Sequence, residues 1–113
     1  MTTWRVPKEK WQSYMDAVSR ELTGKQVEIE VDSLDLGHQV EADWVPLYGI
    51  TYDDKDDLVA IEIEGLTHTV NRPQDVFADR DETGLKRMEI VGADGRQQIL
   101  NFRDPLMLEG PEG

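Results

Sequence analysis

The sequence contains no cysteine, and this absence removes several classes of protein at once. Disulfide frameworks, zinc sites with thiolate ligands and enzymes with a cysteine nucleophile are all excluded. Long apolar runs are missing too, since no stretch approaches the roughly 18 apolar residues that span a bilayer. No apolar run follows the charges of segment 1–7, so a secretory signal is not expected. We therefore expect a cytoplasmic protein without membrane contact.

Recognisable catalytic motifs are absent as well. The chain has neither of the glycine-rich phosphate-binding patterns nor the G-x-S-x-G turn of a serine nucleophile. Paired carboxylates can perform acid–base chemistry. With twelve acids between residues 28 and 64, however, some pairs fall close together by accident. The sequence therefore predicts no cofactor and no catalytic residue.

Basic residues are scarce, with 12 Lys and Arg against 24 Asp and Glu, and the net charge is −12. The excess acid is concentrated in segment 28–64, where Lys55 is the only base among twelve acids. A field of this sign repels phosphate groups. We therefore expect no binding to nucleic acid or to anionic membranes.

The first part of the chain has the periodicity of a helix. Large apolar residues recur at the spacing of one helix face: Trp11, Tyr14, Met15, Val18 and Leu22. Pro7 suits the first turn, where its missing N–H costs nothing, and Gly24 supplies a C-terminal stop. These features predict a helix over residues 7–23.

After Gly24 the apolar residues follow a period of two, which is typical of strands. Segments 27–31, 40–44 and 59–63 alternate apolar and polar residues, and Asp94-Gly95 is a strong hairpin signal. Pro46 is expected to interrupt its strand, because it cannot donate to a ladder. At Gly65 the apolar parity shifts by one residue, which suggests a β-bulge.

These elements predict one α+β domain over residues 1–113, with the strands within 25–103 and a short tail at 109–113. The N-terminal helix packs on a strongly curved, mostly antiparallel sheet or half-barrel of six to seven short strands. The chain has no crossover helices, so parallel strands are not expected. A flat sheet with the helix laid across it is the alternative.

A segment in the middle of the chain carries a family resemblance. Residues 47–57 read LYGITYDDKDD, and other pieces match in order: Trp11, Tyr14, His68 ahead of Pro73, Ala93-Asp94-Gly95, and Pro105-Leu106. The chain resembles a small bacterial family of uncharacterised single-domain proteins, known only as a domain of unknown function. The resemblance implies a bacterial origin and carries over no activity, cofactor or catalytic residue.

His68 is the first candidate for ligand binding. It shares its parity with Leu66 and Val70, so its side chain should face inward or lie at a rim. A core histidine usually has a hydrogen-bonded ring. A functional histidine would need a carboxylate partner and an open pocket. His38 follows a turn and is expected to be exposed.

Two aromatic residues, Trp44 and Tyr52, are the other ligand-binding candidates, and they share a parity with Tyr48. If buried, the three would supply large core area, which a domain with few apolar residues needs. If the Trp44 face were exposed, they would instead form an aromatic binding platform. Burial in the core is the favoured interpretation.

Asp53, Asp54, Asp56 and Asp57 crowd one hairpin loop and are the candidate metal ligands. Carboxylate oxygens are what Ca²⁺ and Mg²⁺ prefer. The loop lacks the glycine at the sixth position and the glutamate at the twelfth that mark a calcium loop. A solvated hairpin tip, in which Asp favours the turn, is the simpler interpretation.

Strand alternation predicts an acidic strand face. Its members point outward: Glu28, Glu30, Glu41, Asp43, Glu62 and Glu64. Carboxylates directly opposite one another would be destabilising. Interleaved Arg87, Arg96 or Arg103, a basic protein partner, or high salt would offset the repulsion; a solvated acidic surface is the simplest account.

These observations favour a non-catalytic domain of the bacterial cytoplasm that works by protein–protein contact. A basic protein could dock on the acidic strand face, and Leu106–Leu108 could form a homodimer seam. A small-ligand or divalent-cation binding module is the first alternative. A small enzyme without a recognisable motif is the second.

Overall fold

The computed structural model describes residues 2–103, which form one α-helix and eight strands. The helix α1 spans Trp11–Leu22 and follows a 3-10 turn at Lys8–Lys10. The strands are β1 (Thr2–Arg5), β2 (Gln26–Ser33), β3 (Gly37–Asp53), β4 (Leu58–Ile63), β5 (Leu66–Asn71), β6 (Asp75–Asp81), β7 (Gly84–Val91) and β8 (Gln97–Arg103). The predicted α+β class with an N-terminal helix is confirmed, with eight strands rather than six to seven. The predicted seam Leu106–Leu108 and the tail 109–113 lie outside the described residues.

The predicted helix face is confirmed. Trp11, Met15, Val18 and Leu22 are all buried. The α-helix begins later than residue 7, because the Lys10 N–H donates to the Pro7 carbonyl (2.9 Å) and closes a tighter turn first. No helix among residues 2–103 is long and apolar enough to cross a membrane.

All neighbouring strands of the sheet are antiparallel, in the order β1-β6-β7-β8-β2-β3-β4-β5. Successive strands from β2 to β5 are neighbours, and so are β6 to β8. β8 returns to pair with β2, and β1 pairs with β6 far along the chain. The sheet is open, with β1 and β5 at its edges.

β3 belongs to both halves of the sheet. Its first part pairs with β2, and its second part pairs with β4. The ladder slips three times along this strand: at Glu41, at Asp43-Trp44 and at Tyr48. Bulges of this kind bend a strand and increase its twist. The expectation that Pro46 interrupts the strand is wrong, because the chain remains extended through Pro46 opposite Gln26.

The phase shift at Gly65 is a chain reversal and not a bulge. Ile63 pairs with Leu66, so Glu64 and Gly65 form the turn between β4 and β5. Gly65 has a φ of +81°, which side chains disfavour. The two residues that flank a two-residue turn are paired and lie on the same face of the sheet. Because one has an odd number and the other an even number, the apolar residues change parity at the turn, as they would at a bulge.

The aromatic residues are distributed differently from the prediction. Tyr52 is buried and meets Trp11 edge to face, with ring centroids 5.2 Å apart. Tyr48 is 55% exposed, because it is the extra residue of a bulge. Trp44 adopts a φ of +54° and is half-buried, with the Arg103 guanidinium 4.0 Å from its ring centroid. Placing Trp44 and Tyr48 in the core is therefore wrong.

The Ser19 hydroxyl forms two hydrogen bonds between the helix and β3. Ser19 Oγ donates to the carbonyl of Ile50 (2.7 Å) and accepts from its N–H (2.8 Å). Farther along, the main chain of Leu47 bonds to Gly24 and Lys25 (3.0 and 2.9 Å). The side of β3 that faces away from β4 is thus paired with the helix and the segment after it.

We expect Ser19→Ala to lower the free energy of unfolding by about 1–3 kcal/mol, because it leaves two main-chain groups of the buried Ile50 unpaired. The loss should occur even though alanine has the higher helix propensity. Urea denaturation measures it. Ser13→Ala is the matched control, since Ser13 is exposed on the same helix and should change stability by less than about 0.5 kcal/mol. Equal effects of the two substitutions would contradict this account.

Candidate ligand-binding cleft

A cleft of about 390 Å³ opens on the face of the sheet that carries the side chains of Val31 and Gln39. One wall is the edge strand β5, the opposite wall comes from β2, β3 and β8, and the turn between β7 and β8 closes one end. Val31, Leu36 and Val70 supply apolar surface. This volume lies in the range of small-molecule sites.

The turn between β7 and β8 can approach β5 because residue 92 is glycine. A Cβ at Gly92 would lie 3.3 Å from Val70 Cγ1 and 3.1 Å from Asp94 Oδ1. The Gly92 N–H donates to the Arg96 carbonyl (2.9 Å), and the Gly95 N–H donates to the Gly92 carbonyl (3.0 Å). The closed end of the cleft is therefore an ordered turn packed against β5.

His68 projects into the cleft from β5. It pairs with Ile61 on β4, whose side chain is buried, and it is itself half-buried. Its Nε2 is shielded from solvent and has no hydrogen-bond partner. The predicted inward or rim position is therefore correct, but the ring nitrogen lacks the partner that a core histidine usually has.

Burial lowers the pKa of His68 below the ordinary value of 6.5, against the opposing effects of the Glu41 carboxylate and the Gln98 side chain. Gln98 is buried, and its Nε2 donates to the carbonyls of Ile90 (3.2 Å) and Arg96 (3.0 Å). Since both N–H bonds of the Gln98 amide are used in this way, the group that Gln98 presents to the imidazole is its amide oxygen. Burial therefore favours the neutral form of the imidazole, and the Gln98 oxygen lies near the ring without bonding to Nε2.

Four charged side chains line the cleft, and two of them pair with each other. Asp94 accepts from the Arg96 N–H (3.0 Å) and lies 3.7 Å from the Arg96 guanidinium. Arg72 and Glu41 make no ion pair with any of residues 2–103. The formal charges of the lining, two bases and two acids, sum to zero.

Glu41 was predicted on the outward acidic face, and the structure corrects this. Ile29 pairs with Ala42 and Glu30 pairs with Val40, so Glu41 is the extra residue of a bulge. Glu41 shares its parity with Gly37 and Gln39, and all three line the cleft, although Glu41 is exposed. The bulge instead turns Ala42 to the buried face, opposite Ile29.

The rest of the predicted acidic face does not contain opposed carboxylates. Among residues 2–103, no regular cross-strand pair joins two acids: Glu28 faces Asn101, and Glu30 faces Ile99 and Val40. Burial, followed by the neighbouring Glu28, raises the pKa of Glu30. Repulsion therefore acts along β2 rather than across the ladder.

The expected compensating bases pair elsewhere. Arg87 lies 3.8 Å from Asp79 and 3.7 Å from Glu89, while Arg103 donates to Gln26 (3.0 Å). Beside the acidic row of β2 (Glu28, Glu30 and Asp32) lies His38, which carries a positive charge only when it is protonated. His38 Nδ1 lies 2.6 Å from Asp32, and this hydrogen bond raises the pKa of the imidazole.

The Asp53–Asp57 loop is an ordered hairpin turn. Asp53 Oδ1 accepts from the N–H groups of Lys55 (2.9 Å) and Asp56 (3.2 Å), and Asp57 accepts from the Tyr52 hydroxyl (2.7 Å). Among residues 2–103, no group of three His, Asp or Glu side chains is arranged to hold a metal ion. The hairpin-tip interpretation accounts for these bonds.

Tyr52 and Trp44 do not join His68. Tyr52 borders a separate, open groove with Asp54 and Asp57, and burial together with the Asp57 hydrogen bond raises its pKa to about 12. Trp44 packs under Arg103. Of the three ligand-binding candidates, His68 is the one in the cleft, and its neighbours Gln98 and Arg72 carried no motif that sequence reasoning could use.

We expect the two histidines to titrate on opposite sides of 6.5, with His68 below and His38 above. As pH falls below 6.5, His68 is protonated in the unfolded chain before it is protonated in the native protein. His68 therefore destabilises the native state at acid pH. His38 contributes stability at acid pH that is lost as pH rises through its raised pKa. Side-chain NMR gives both midpoints, with His38→Asn to assign the signals. One shared midpoint would contradict the two environments.

Comparison with known proteins places the chain in a family. Residues 2–111 match a family of unknown function, DUF5335. An uncharacterized protein of Aquifex aeolicus (strain VF5) is 32% identical over 109 residues, which cover 96% of this chain and 98% of that protein. No solved structure matches the chain. The predicted resemblance to a bacterial family of uncharacterised proteins is confirmed, and the chain belongs to the family of unknown function DUF5335.

Proposed function

We propose that this protein is a binding domain whose concave cleft takes up a small polar ligand. The observation that carries the proposal is the buried, unpartnered Nε2 of His68 in a cleft of about 390 Å³. A shielded polar atom without a partner has a free-energy cost, and a ligand that hydrogen-bonds to it removes that cost. Apolar walls with a few convergent polar groups are typical of ligand sites.

The proposal assigns binding rather than catalysis. A histidine that activates a nucleophile is hydrogen-bonded to a hydroxyl or thiol and is oriented by a third group. Among residues 2–103, no hydroxyl or carboxylate is hydrogen-bonded to His68. The Ser33 hydroxyl at the cleft instead accepts from the Leu36 N–H (3.1 Å), as turn residues do.

The test is a titration of ¹⁵N-labelled protein with small alcohols, amides, carboxylic acids, amines and amino acids, followed by NMR. At least one class should shift the His68 ring signal and the amides of residues 68–72 and 94–98 in a saturable way. His68→Phe should abolish the response, whereas His38→Phe should retain it, because His38 is exposed and does not line the cleft. If no compound responds, or if His68→Phe responds equally, the cleft is not a binding site.

A second candidate function is contact with a basic protein through the acidic row Glu28, Glu30 and Asp32 on β2. The raised pKa of Glu30 favours it, because it reflects burial and a like charge that no adjacent Lys or Arg offsets. A Lys or Arg from a partner would stabilise these carboxylates. The cytoplasm is the compartment we propose, since a chain without cysteine needs no oxidising compartment to form disulfides. A homodimer through Leu106–Leu108 stays a prediction.

An octalysine peptide labelled with a fluorophore tests this second function by anisotropy. Binding should weaken as NaCl increases, because salt screens exposed charges. The double variant Glu28→Gln/Glu30→Gln should weaken binding more than Glu9→Gln/Glu82→Gln, which removes the same charge at two exposed positions elsewhere. Equal weakening would show attraction to net charge alone and would refute a site on β2.

A further inference from the structure

The backbone of Arg72 has an unusual conformation. Its φ is +48°, in the left-handed region that long side chains rarely adopt. Two bonds hold it there: the Arg72 N–H donates to the Asp57 carbonyl (2.7 Å), and Gln74 Nε2 donates to the Arg72 carbonyl (2.9 Å). Glycine or asparagine would occupy this position with less strain. Strained residues of this kind concentrate at functional sites.

The Arg72 side chain also lacks an obvious structural purpose. It is exposed, lines the cleft just after β5, and has no ion-pair partner among residues 2–103. Glu41 lines the same cleft from β3 and likewise makes no ion pair within the described residues 2–103. The other two charged residues of the lining, Asp94 and Arg96, pair with each other. The cleft therefore presents one available cation and one available anion.

The overall charge narrows the class of ligand further. With a net charge of −12, the protein as a whole repels anions and attracts cations. A molecule that carries one charge of each sign has no net charge and is neither repelled nor attracted at a distance. It would meet both available charges only inside the cleft.

We propose that the cleft binds a small zwitterion of the free amino acid class, and this inference rests on the function proposed above. Its carboxylate pairs with the Arg72 guanidinium, which can donate two parallel hydrogen bonds to it. Its ammonium pairs with Glu41. A polar group elsewhere in the molecule hydrogen-bonds to Nε2 of His68.

Calorimetric titration with each of the twenty common L-amino acids tests the proposal. At least one should bind saturably. Its N-acetyl derivative, which lacks the ammonium, and its C-terminal amide, which lacks the carboxylate, should each bind at least about tenfold more weakly, as expected when a charge-assisted contact is lost. If both blocked derivatives bind like the parent compound, the zwitterion assignment is wrong.

Two substitutions assign the charges to their partners. Arg72→Gly should keep or raise the melting temperature, because glycine relieves the left-handed strain, and should still weaken amino acid binding at least about tenfold. Arg72→Asn provides the same test if the glycine variant is too flexible. Glu41→Gln should abolish the preference for the parent compound over its N-acetyl derivative. Glu64→Gln, an exposed acid at the β4–β5 turn, is the control and should change neither property.

The outcomes separate this inference from the proposed function. If alcohols or amides bind at His68 while no amino acid does, the cleft is a ligand site of another class and the zwitterion is refuted. If nothing binds, both proposals fail together. If amino acids bind equally well to Arg72→Gly, the strained arginine does not contribute to recognition and this assignment is overturned.

Discussion

The Ser19 hydroxyl makes two hydrogen bonds to the main chain of Ile50 and thereby pairs the free edge of β3, the one strand that both halves of the sheet share. Past Pro46, β3 pairs with β4 on one side, and its other side would be an open edge with unpaired main-chain groups. The helix covers that edge, with Ser19 serving as donor and acceptor for Ile50 as a neighbouring strand would. Leu22 and Met15 of the same helix are buried in the core. The helix therefore fixes the position of β3, and β3 fixes both walls of the cleft.

The irregularities of β3 connect the fold to the candidate site. A regular ladder would place Ala42 on the outer face of the sheet, opposite Glu28. The extra residue at Glu41 brings Ala42 to the buried face, opposite Ile29. Glu41 stays on the cleft side with Gln39, and its carboxylate raises the pKa of His68 against the effect of burial. The slips at Trp44 and Tyr48 continue the bend and bring β5 round toward β7 and β8. Bulges often occur beside functional sites because they re-aim side chains in this way.

Local patterns predicted the parts of the fold that depend on local physics. The helix face from Trp11 to Leu22 and the hairpin at Asp94-Gly95 follow from spacing and turn chemistry. β1 could not be predicted, because Thr2–Arg5 has no apolar alternation and forms a strand only by pairing with residues more than 70 positions away. Trp44 and Tyr48 were misplaced because a period of two assumes an unbroken ladder. For the site, parity placed His68 correctly, whereas Glu41 and Gln98 reach the same cleft through tertiary structure alone. Arg72 follows His68 closely in sequence, but no pattern marked it as a site residue.

The charge of the cleft lining differs from the net charge of the whole protein. Most of the acidic excess lies in segment 28–64, yet the formal charges of the cleft lining cancel, and burial lowers the pKa of His68. A neutral cleft on a strongly acidic protein neither concentrates cations nor excludes uncharged molecules, so contacts made inside it decide what stays bound. Arg72 is costly as a purely structural residue, since its conformation is one that glycine fills with less strain. A side chain with this backbone cost and no partner among residues 2–103 is best explained by a partner that arrives from solution.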